Sequence, residues 1–428
     1  MIKQRALCFF KIPRLYDSHT HFLATGEFSA GLHLGFMKKA QDLSLIDLKN
    51  PAYYRSDWIV GFGWNEAGWP EAPNKEILDK YFPDRPVFFP RMDGHRSWVN
   101  SRALELLGMK SETGLLLEKD HLQAWDKLPG FTKEQQRRHI LSACRTYNKA
   151  GFTHVRDMSC TESLWNLLVE MSEKNELTLA IEENVTTHEM SDFEGMLDFC
   201  VRAKKSETPL LRMKGIKLFY DGSLGSETAY LSKPYNGKAE GTQGRTLWPL
   251  EEVEEIMKRT WQAGLEFSVH TIGDEAAHHI VQSARKISAQ GFVGRLNIEH
   301  AQMLRPETIQ MMKPLHVRCH MQPCHWLSDK AWLEQKLGDL YKYVFPWEAL
   351  RAAQIPISFG CDSPVEPPSF WRNKVALDES AKAKIRKFTG DLAVAHSHPD
   401  ATFANSYSIV EEGIVKEINF NGTLLSLE

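Results

Sequence analysis

This sequence has no surplus of positive charge: 52 Lys and Arg stand against 55 Asp and Glu, a formal net charge of −3. A chain whose main task was to hold a polyphosphate backbone would carry a basic excess, so nucleic acid is excluded as the principal partner. Long apolar runs are missing too. None approaches the ~20 residues needed to cross a bilayer, and no membrane partner is expected. The apolar stretch Ala6–Phe10 is followed at once by Lys11 and Pro13, which makes it too short for a signal segment. Cysteine is sparse. Cys8, Cys144, Cys160, Cys200, Cys319, Cys324 and Cys361 are odd in number and scattered in spacing. In a chain this long that excludes a disulfide framework and points to a reducing, cytoplasmic location. P-loop, GxGxxG, HExxH and GxSxG signatures are absent, as are internal repeats and low-complexity tracts.

What is present is a large apolar fraction, 42% of 428 residues, with 25% charged. That is the balance of a globular protein with a sizeable core. Strand-like runs occur at 15–21, 58–64, 86–92, 151–158, 178–185, 214–220, 265–270, 295–300, 316–322 and 355–361. Amphipathic stretches such as Pro249–Ala263 and Ile272–Ala289 separate them. Strands alternating with helices argue for a parallel sheet. The segment 22–150 is too long for one crossover and is rich in Gly, Trp and Pro, so it is set aside as an insertion holding the runs at 58–64 and 86–92. Eight runs then remain, which is the number of an α/β (β/α)₈ TIM-like barrel.

His19 and His21 lie two apart in the first run, so a strand turns both imidazoles to one face. An HxH pair alone is weak in a chain with 17 histidines. The other strand ends add weight to it. The run at 265–270 ends in His270, the run at 295–300 ends in His300, and the run at 355–361 leads into Asp362. In a barrel these ends share the rim where catalysis is kept. Nitrogen and oxygen donors without thiolate suit zinc, with manganese, iron or nickel left open. Lys217 sits between Ile216 and Leu218 and would point into the barrel if those point outward. A buried amine there loses its proton readily and beside cations could form a carbamate. The alternative is a lysine that snorkels to the rim or pairs with Asp221. The cluster of Cys319, His320, Cys324 and His325 lacks the tight paired spacing of a zinc ribbon; a strand that leaves Gln322 and His325 near the pocket is the better expectation. Trp64 and Trp69 could roof an apolar substrate, or could pack the insertion itself.

The phrases DSHTHF at 17–22, IKLFYDGSLGSETA at 216–229, VHTIGDEA at 269–276, EHAQ at 299–302 and CDSPVEP at 361–367 resemble the amidohydrolase superfamily. More narrowly the chain resembles the amidohydrolase-3 branch that includes N-substituted formamide deformylases; RMDGHRSWVNSRAL at 91–104 and QPCHW at 322–326 are similar to that branch as well. The resemblance implies that His19 and His21 bind one metal and His270 and His300 a second. It makes carboxylated Lys217 the bridge and Asp362 both ligand and general base. It also places His95 in the pocket, and we group His95, Trp64, Asp221, Gln322 and His325 as candidate substrate-binding residues. The implied cofactor is a pair of divalent ions, zinc first.

Two departures from the branch follow. Only the first sixteen residues precede the DSHTHF phrase, and only 363–390 separate Asp362 from GDLAVAHSHPD, which resembles the branch's returning strand. We therefore expect a reduced β appendage from 1–14 and 391–428, its strands drawn from 5–11 and 391–424. A barrel over 15–390 would include the 22–150 insertion as a cap that closes over the mouth and sets specificity. The last barrel helix is expected to be short or missing. The expected activity is hydrolysis of an amide-type C–N bond in a small-molecule substrate. Ring deamination and a catalytically lapsed ligand-binding relative are the alternatives, and a homodimer is compatible with the chain.

Overall fold

The computed structural model describes residues 9–66, 68–91, 96–239, 241–382, 391–399 and 403–427. The chain forms two compact units, one from Met1–Phe22 with Cys144–Glu428 and the other from Leu23–Ala143.

The first unit is built on eight strands: β1 (Tyr16–Thr20), β2 (His154–Asp157), β3 (Ala180–Thr186), β4 (Leu211–Phe219), β5 (Glu266–Thr271), β6 (Leu296–His300), β7 (Val317–Met321) and β8 (Ile357–Phe359). Each pairs in parallel with the next, in the order β8-β7-β6-β5-β4-β3-β2-β1. All eight coincide with runs read from the sequence. Their side chains alternate as the pleat requires. In β5, Phe267 and Val269 are fully buried apolar residues, while Ser268 between them bonds to Arg156 of β2. Helices Leu250–Gln262 and Asp274–Ala289 flank β5. No helix among the described residues is long and apolar enough to cross a membrane.

The seam between β8 and β1 closes the barrel without a regular ladder. The Asp362 amide donates to the His19 carbonyl at 2.9 Å, and the His21 amide to the Ser363 carbonyl at 2.8 Å. The Asp17 carboxylate adds a third link, accepting the Cys361 amide at 3.0 Å. Gly360 permits this approach: a Cβ there would lie 2.7 Å from the His19 amide nitrogen and 2.8 Å from Asp17 Oδ1. Because these neighbours are backbone and a tied carboxylate, the seam has nowhere to yield. Gly360→Ala should therefore cost about 1–3 kcal/mol, as overpacking does, and weaken metal binding by displacing Asp362. Denaturant unfolding and metal titration check both effects. Wild-type values in each would show that the close approach is not needed.

A small antiparallel sheet belongs to the same unit, in the order Phe9–Pro13, Tyr407–Glu411, Ile414–Phe420, Thr423–Leu424. Its two hairpins turn on Glu412–Gly413 and Asn421–Gly422, all four residues having positive φ, as two-residue loops of this twist demand. The part of the expected appendage at 1–8 lies outside the described residues. The last barrel helix corrects our expectation: Phe370–Lys382 is a full helix of 13 residues.

The second unit has its own mixed sheet of six short strands rather than the two expected. Trp58–Phe62 and Val87–Pro90 are the two that the sequence revealed; Leu32–His33, Tyr54–Arg55, Arg96–Val99 and Leu115–Leu117 are too short to show a period.

Candidate metal centre

Strand geometry carries the candidate ligands to one end of the barrel. His19 is near the end of β1, with His21 just beyond it; His270 and His300 lie at the ends of β5 and β6. Asp362 follows β8. One ligand atom each from His19, His300 and Asp362 lies within 4.8 Å of the others. His19 Nε2 is 3.3 Å and His21 Nε2 3.5 Å from Asp362 Oδ1. The His270 ring stands 4.4 Å from that of His300, centroid to centroid. His300 and Asp362 reach this arrangement through left-handed backbone, with φ of 70° and 59°. Such conformations cost energy outside glycine and concentrate at functional sites.

The far side of each ring is fixed by a partner, which selects the nitrogen offered to the centre. His19 Nδ1 lies 2.6 Å from Glu299 Oε2, and His300 Nδ1 lies 3.0 Å from Gln322 Oε1. His270 Nε2 lies 3.1 Å from the Gly222 carbonyl. His19 Nε2, His270 Nδ1 and Asp362 Oδ1 are then buried polar atoms without a hydrogen bond, and so is Lys217 Nζ. Four buried groups left in this state cost more than they return unless something binds them together. A cluster of imidazole and carboxylate donors with no thiolate fits a divalent metal.

The electrostatics of three rings agree with ligation; in His19 burial favours the neutral form, but the Asp362 and Glu299 carboxylates raise the ring above its ordinary value. Burial, together with the nearby lysine, pushes His21 down to about 4 and His270 to about 3. Burial also holds His300 well below its ordinary value. These rings are therefore neutral, the form that binds metal. Burial opposes the Asp362 charge, but His19 and its neighbours outweigh that and keep the carboxyl well below the usual range. Lys217 is fully buried between Ile216 and Leu218, and burial lowers it to about 8. At neutral pH this makes the neutral amine far more accessible than in an ordinary lysine. Its Nζ lies over the Phe219 ring at 4.3 Å from the centroid.

Two residues of the centre escaped the sequence reading. Glu299 holds His19 with one oxygen and accepts from Arg156 Nη1 at 2.8 Å with the other. Arg156 is itself buried and also donates to Ser268 Oγ at 2.6 Å. Strand alternation hides Glu299, because a strand cannot turn both it and His300 inward; the positive φ of His300 makes both possible. Removing the charge that orients His19 should weaken metal binding. Glu299→Gln is expected to cost 10–100-fold in affinity, the range for such supporting partners. Competition against a chromogenic chelator measures this, and unchanged affinity would separate Glu299 from the centre.

The candidate substrate residues are placed as follows. Asp221 is buried; its carboxylate accepts the amides of Tyr230, Ile272 and Gly273 at 2.9, 3.0 and 2.8 Å, and its Oδ1 lies 3.8 Å from His270 Nε2. Gln322 is buried and engaged with His300. Trp64 is fully buried in the core of the second unit, donating to the Phe89 carbonyl at 2.6 Å and packed by Trp69 and Trp98. His325 is brought to the centre, with Nε2 3.9 Å from Asp362 Oδ2. His95 lies outside the described residues.

The sequence profile of the amidohydrolase family matches residues 12–389. Putative amidohydrolase YtcJ of Bacillus subtilis (strain 168) is 27% identical over 379 residues, which is 83% of this chain and 70% of that protein. N-substituted formamide deformylase of Arthrobacter pascens is 21% identical over 363 residues, covering 77% of this chain and 66% of the relative. Among solved structures, an uncharacterized metal-dependent hydrolase from Pyrococcus furiosus aligns with a TM-score of 0.76 at 26% identity, covering 97% of this chain and 87% of that one. Another, from Pyrococcus horikoshii OT3, gives 0.73 at 27% identity, with 92% and 79% covered.

Proposed function

The chain belongs to the amidohydrolase family, and from that premise we propose that it is a metal-dependent hydrolase of an amide-type C–N bond. The observation that carries the reading is the convergence of His19, His300 and Asp362 within 4.8 Å, beside a buried Lys217 amine with no hydrogen bond. His19, His21, His270, His300, Asp362 and a carboxylated Lys217 would hold two divalent ions, zinc first. When bound, the ions lower the pKa of a water and polarise the scissile carbonyl. Asp362 Oδ2, the oxygen facing His325, receives the proton of the attacking water and delivers it to the leaving nitrogen. Glu299 and Gln322 keep His19 and His300 from rotating during this exchange.

The test is turnover of metal-loaded protein on a panel of N-formyl amines, N-acyl amines and cyclic amides. Hydrolysis of at least one class, abolished by exhaustive chelation and restored by metal, is the expected result. Full turnover after chelation would refute the metal assignment. Release of ammonia from a ring substrate, with the amides untouched, would replace the proposal with a deaminase. Tight metal binding without turnover on either panel would count for a lapsed ligand-binding protein.

A further inference from the structure

His21 is held from behind by a hydroxyl. Ser159 Oγ lies 3.3 Å from His21 Nδ1. His21 Nε2 is turned to Asp362, at 3.5 Å, so Nδ1 is the nitrogen left to donate. A hydroxyl that accepts on one side has its own proton to place, and Asp157 Oδ1 stands 3.5 Å from Ser159 Oγ. Asp157 is fully buried at the end of β2. Its Oδ2 accepts the Ser159 amide at 3.2 Å, and its Oδ1 accepts the Phe22 amide at 2.5 Å. One carboxylate thus fixes Phe22, next to His21 in the chain, and Ser159, next to His21 in space.

Glu183 stands beside Asp157. The two are register partners of β3 and β2, so their side chains leave the sheet on the same face. Their carboxyl groups are in hydrogen-bond contact. Glu183 is fully buried, and neither of its oxygens receives a hydrogen bond from an N–H or O–H group among the described residues. Two carboxylates in contact in a dry site cannot both keep their charge.

The pair therefore holds a proton, and the hydrogen bonds say where it sits. Both Asp157 oxygens accept amides, whereas Glu183 receives none. A protonated carboxyl is a donor, and Asp157 is the acceptor in contact with it. The surroundings agree. Cys160 stands beside Glu183, with Cys200 near Cys160, and burial pushes both thiols up and keeps them neutral. Burial, and after it the Asp157 charge, hold the Glu183 carboxyl well above its usual range. An apolar side chain would fill this space without the cost of burying a polar group, so the acid calls for a task.

We propose that Glu183 is a positioning residue of the metal centre: as a neutral acid it donates to Asp157, leaves one charge on the pair, and through Asp157 and Ser159 holds His21 toward the ion. The proposal rests on the reading of His21 as a ligand.

The experiment measures zinc affinity of the full chain by chelator competition, with infrared difference spectra at neutral pH, for wild type, Glu183→Gln and Glu183→Leu. Wild type should show the carbonyl band of a neutral carboxylic acid that Glu183→Gln lacks. Glu183→Gln keeps an uncharged donor for Asp157, so its zinc affinity should stay near the wild-type value. Glu183→Leu has no donor and should lose about 10–100-fold, the range for a ligand's supporting partners. Should that variant fail to fold, Ser159→Ala breaks the same chain at its next link and should show the same loss. Absence of the carboxylic-acid band would mean an ionised Glu183 and overturn the proposal. A loss in Glu183→Gln as large as in Glu183→Leu would overturn it too, because the charge would then matter. Wild-type affinity in Glu183→Leu or Ser159→Ala would detach both from His21. A wild-type protein that shows the band but binds no zinc would refute the ligand assignment of His21, and with it the role given to Glu183.

Discussion

Lys217→Ala is expected to lose at least one metal ion per chain and to lower turnover by more than ~100-fold, beyond the upper end of what a ligand's outer partners contribute. The expectation has three physical parts. Alternation in β4 places Lys217 opposite the fully buried Ile216 and Leu218, so its side chain enters the barrel. Burial brings its amine down to about 8, which makes the nucleophilic form accessible near neutral pH. Two cations would then stabilise the anion that this amine forms with carbon dioxide, the amine losing one proton as the N–C bond forms. Added hydrogen carbonate with a short carboxylic acid should restore part of the metal binding to Lys217→Ala, because a free carboxylate can occupy the bridging position. Lys217→Arg should not, since guanidinium stays charged and cannot form a carbamate. Intact mass of the metal-loaded protein decides the matter. Two bound metals beside a lysine lacking the mass of carbon dioxide would end the carbamate proposal, and one metal beside an unmodified lysine would favour the deaminase alternative.

Asp362→Asn should reduce kcat by about 10²–10⁴-fold, the contribution usual for a group that moves protons in the transition state. KM should change far less, because the carboxylate would act on the water rather than on substrate contacts. The fold should survive. Asp362 has a φ of 59°, a conformation that asparagine adopts readily, and its seam contact to the His19 carbonyl is made by the backbone amide. Steady-state kinetics with metal analysis of the same sample checks this. A variant that folds, keeps its metals and turns over normally would remove Asp362 from the proton pathway.

Residues whose role follows from local pattern were readable in the chain. Lys217 and His19 lie in strands whose alternation fixes their direction, and His270 and Asp362 mark strand ends that a barrel gathers at one rim. The substrate assignments had no such basis. Asp221 and Gln322 are polar residues beside the rim, and sequence alone does not say whether a polar side chain turns to a ligand or to its own backbone. Here Asp221 collects three amides and Gln322 orients His300. Trp64 was assigned by its chemistry, and its burial in a six-stranded unit of very short strands was invisible to any periodicity.

The sequence by itself determined the barrel's eight strands, the rim on which the ligand candidates stand, and the family, because each depends on residue type at short spacing. The tertiary structure decided the rest. Glu299 supports His19 across the barrel interior, and Arg156 joins that pair from β2. Gly360 lets β8 approach His19 closely enough to set Asp362 beside it. The polar cavity at the strand starts draws residues from all eight strands at once. These are relations between residues far apart in the chain, fixed by how strands pack and which charges find partners, and no local pattern encodes them.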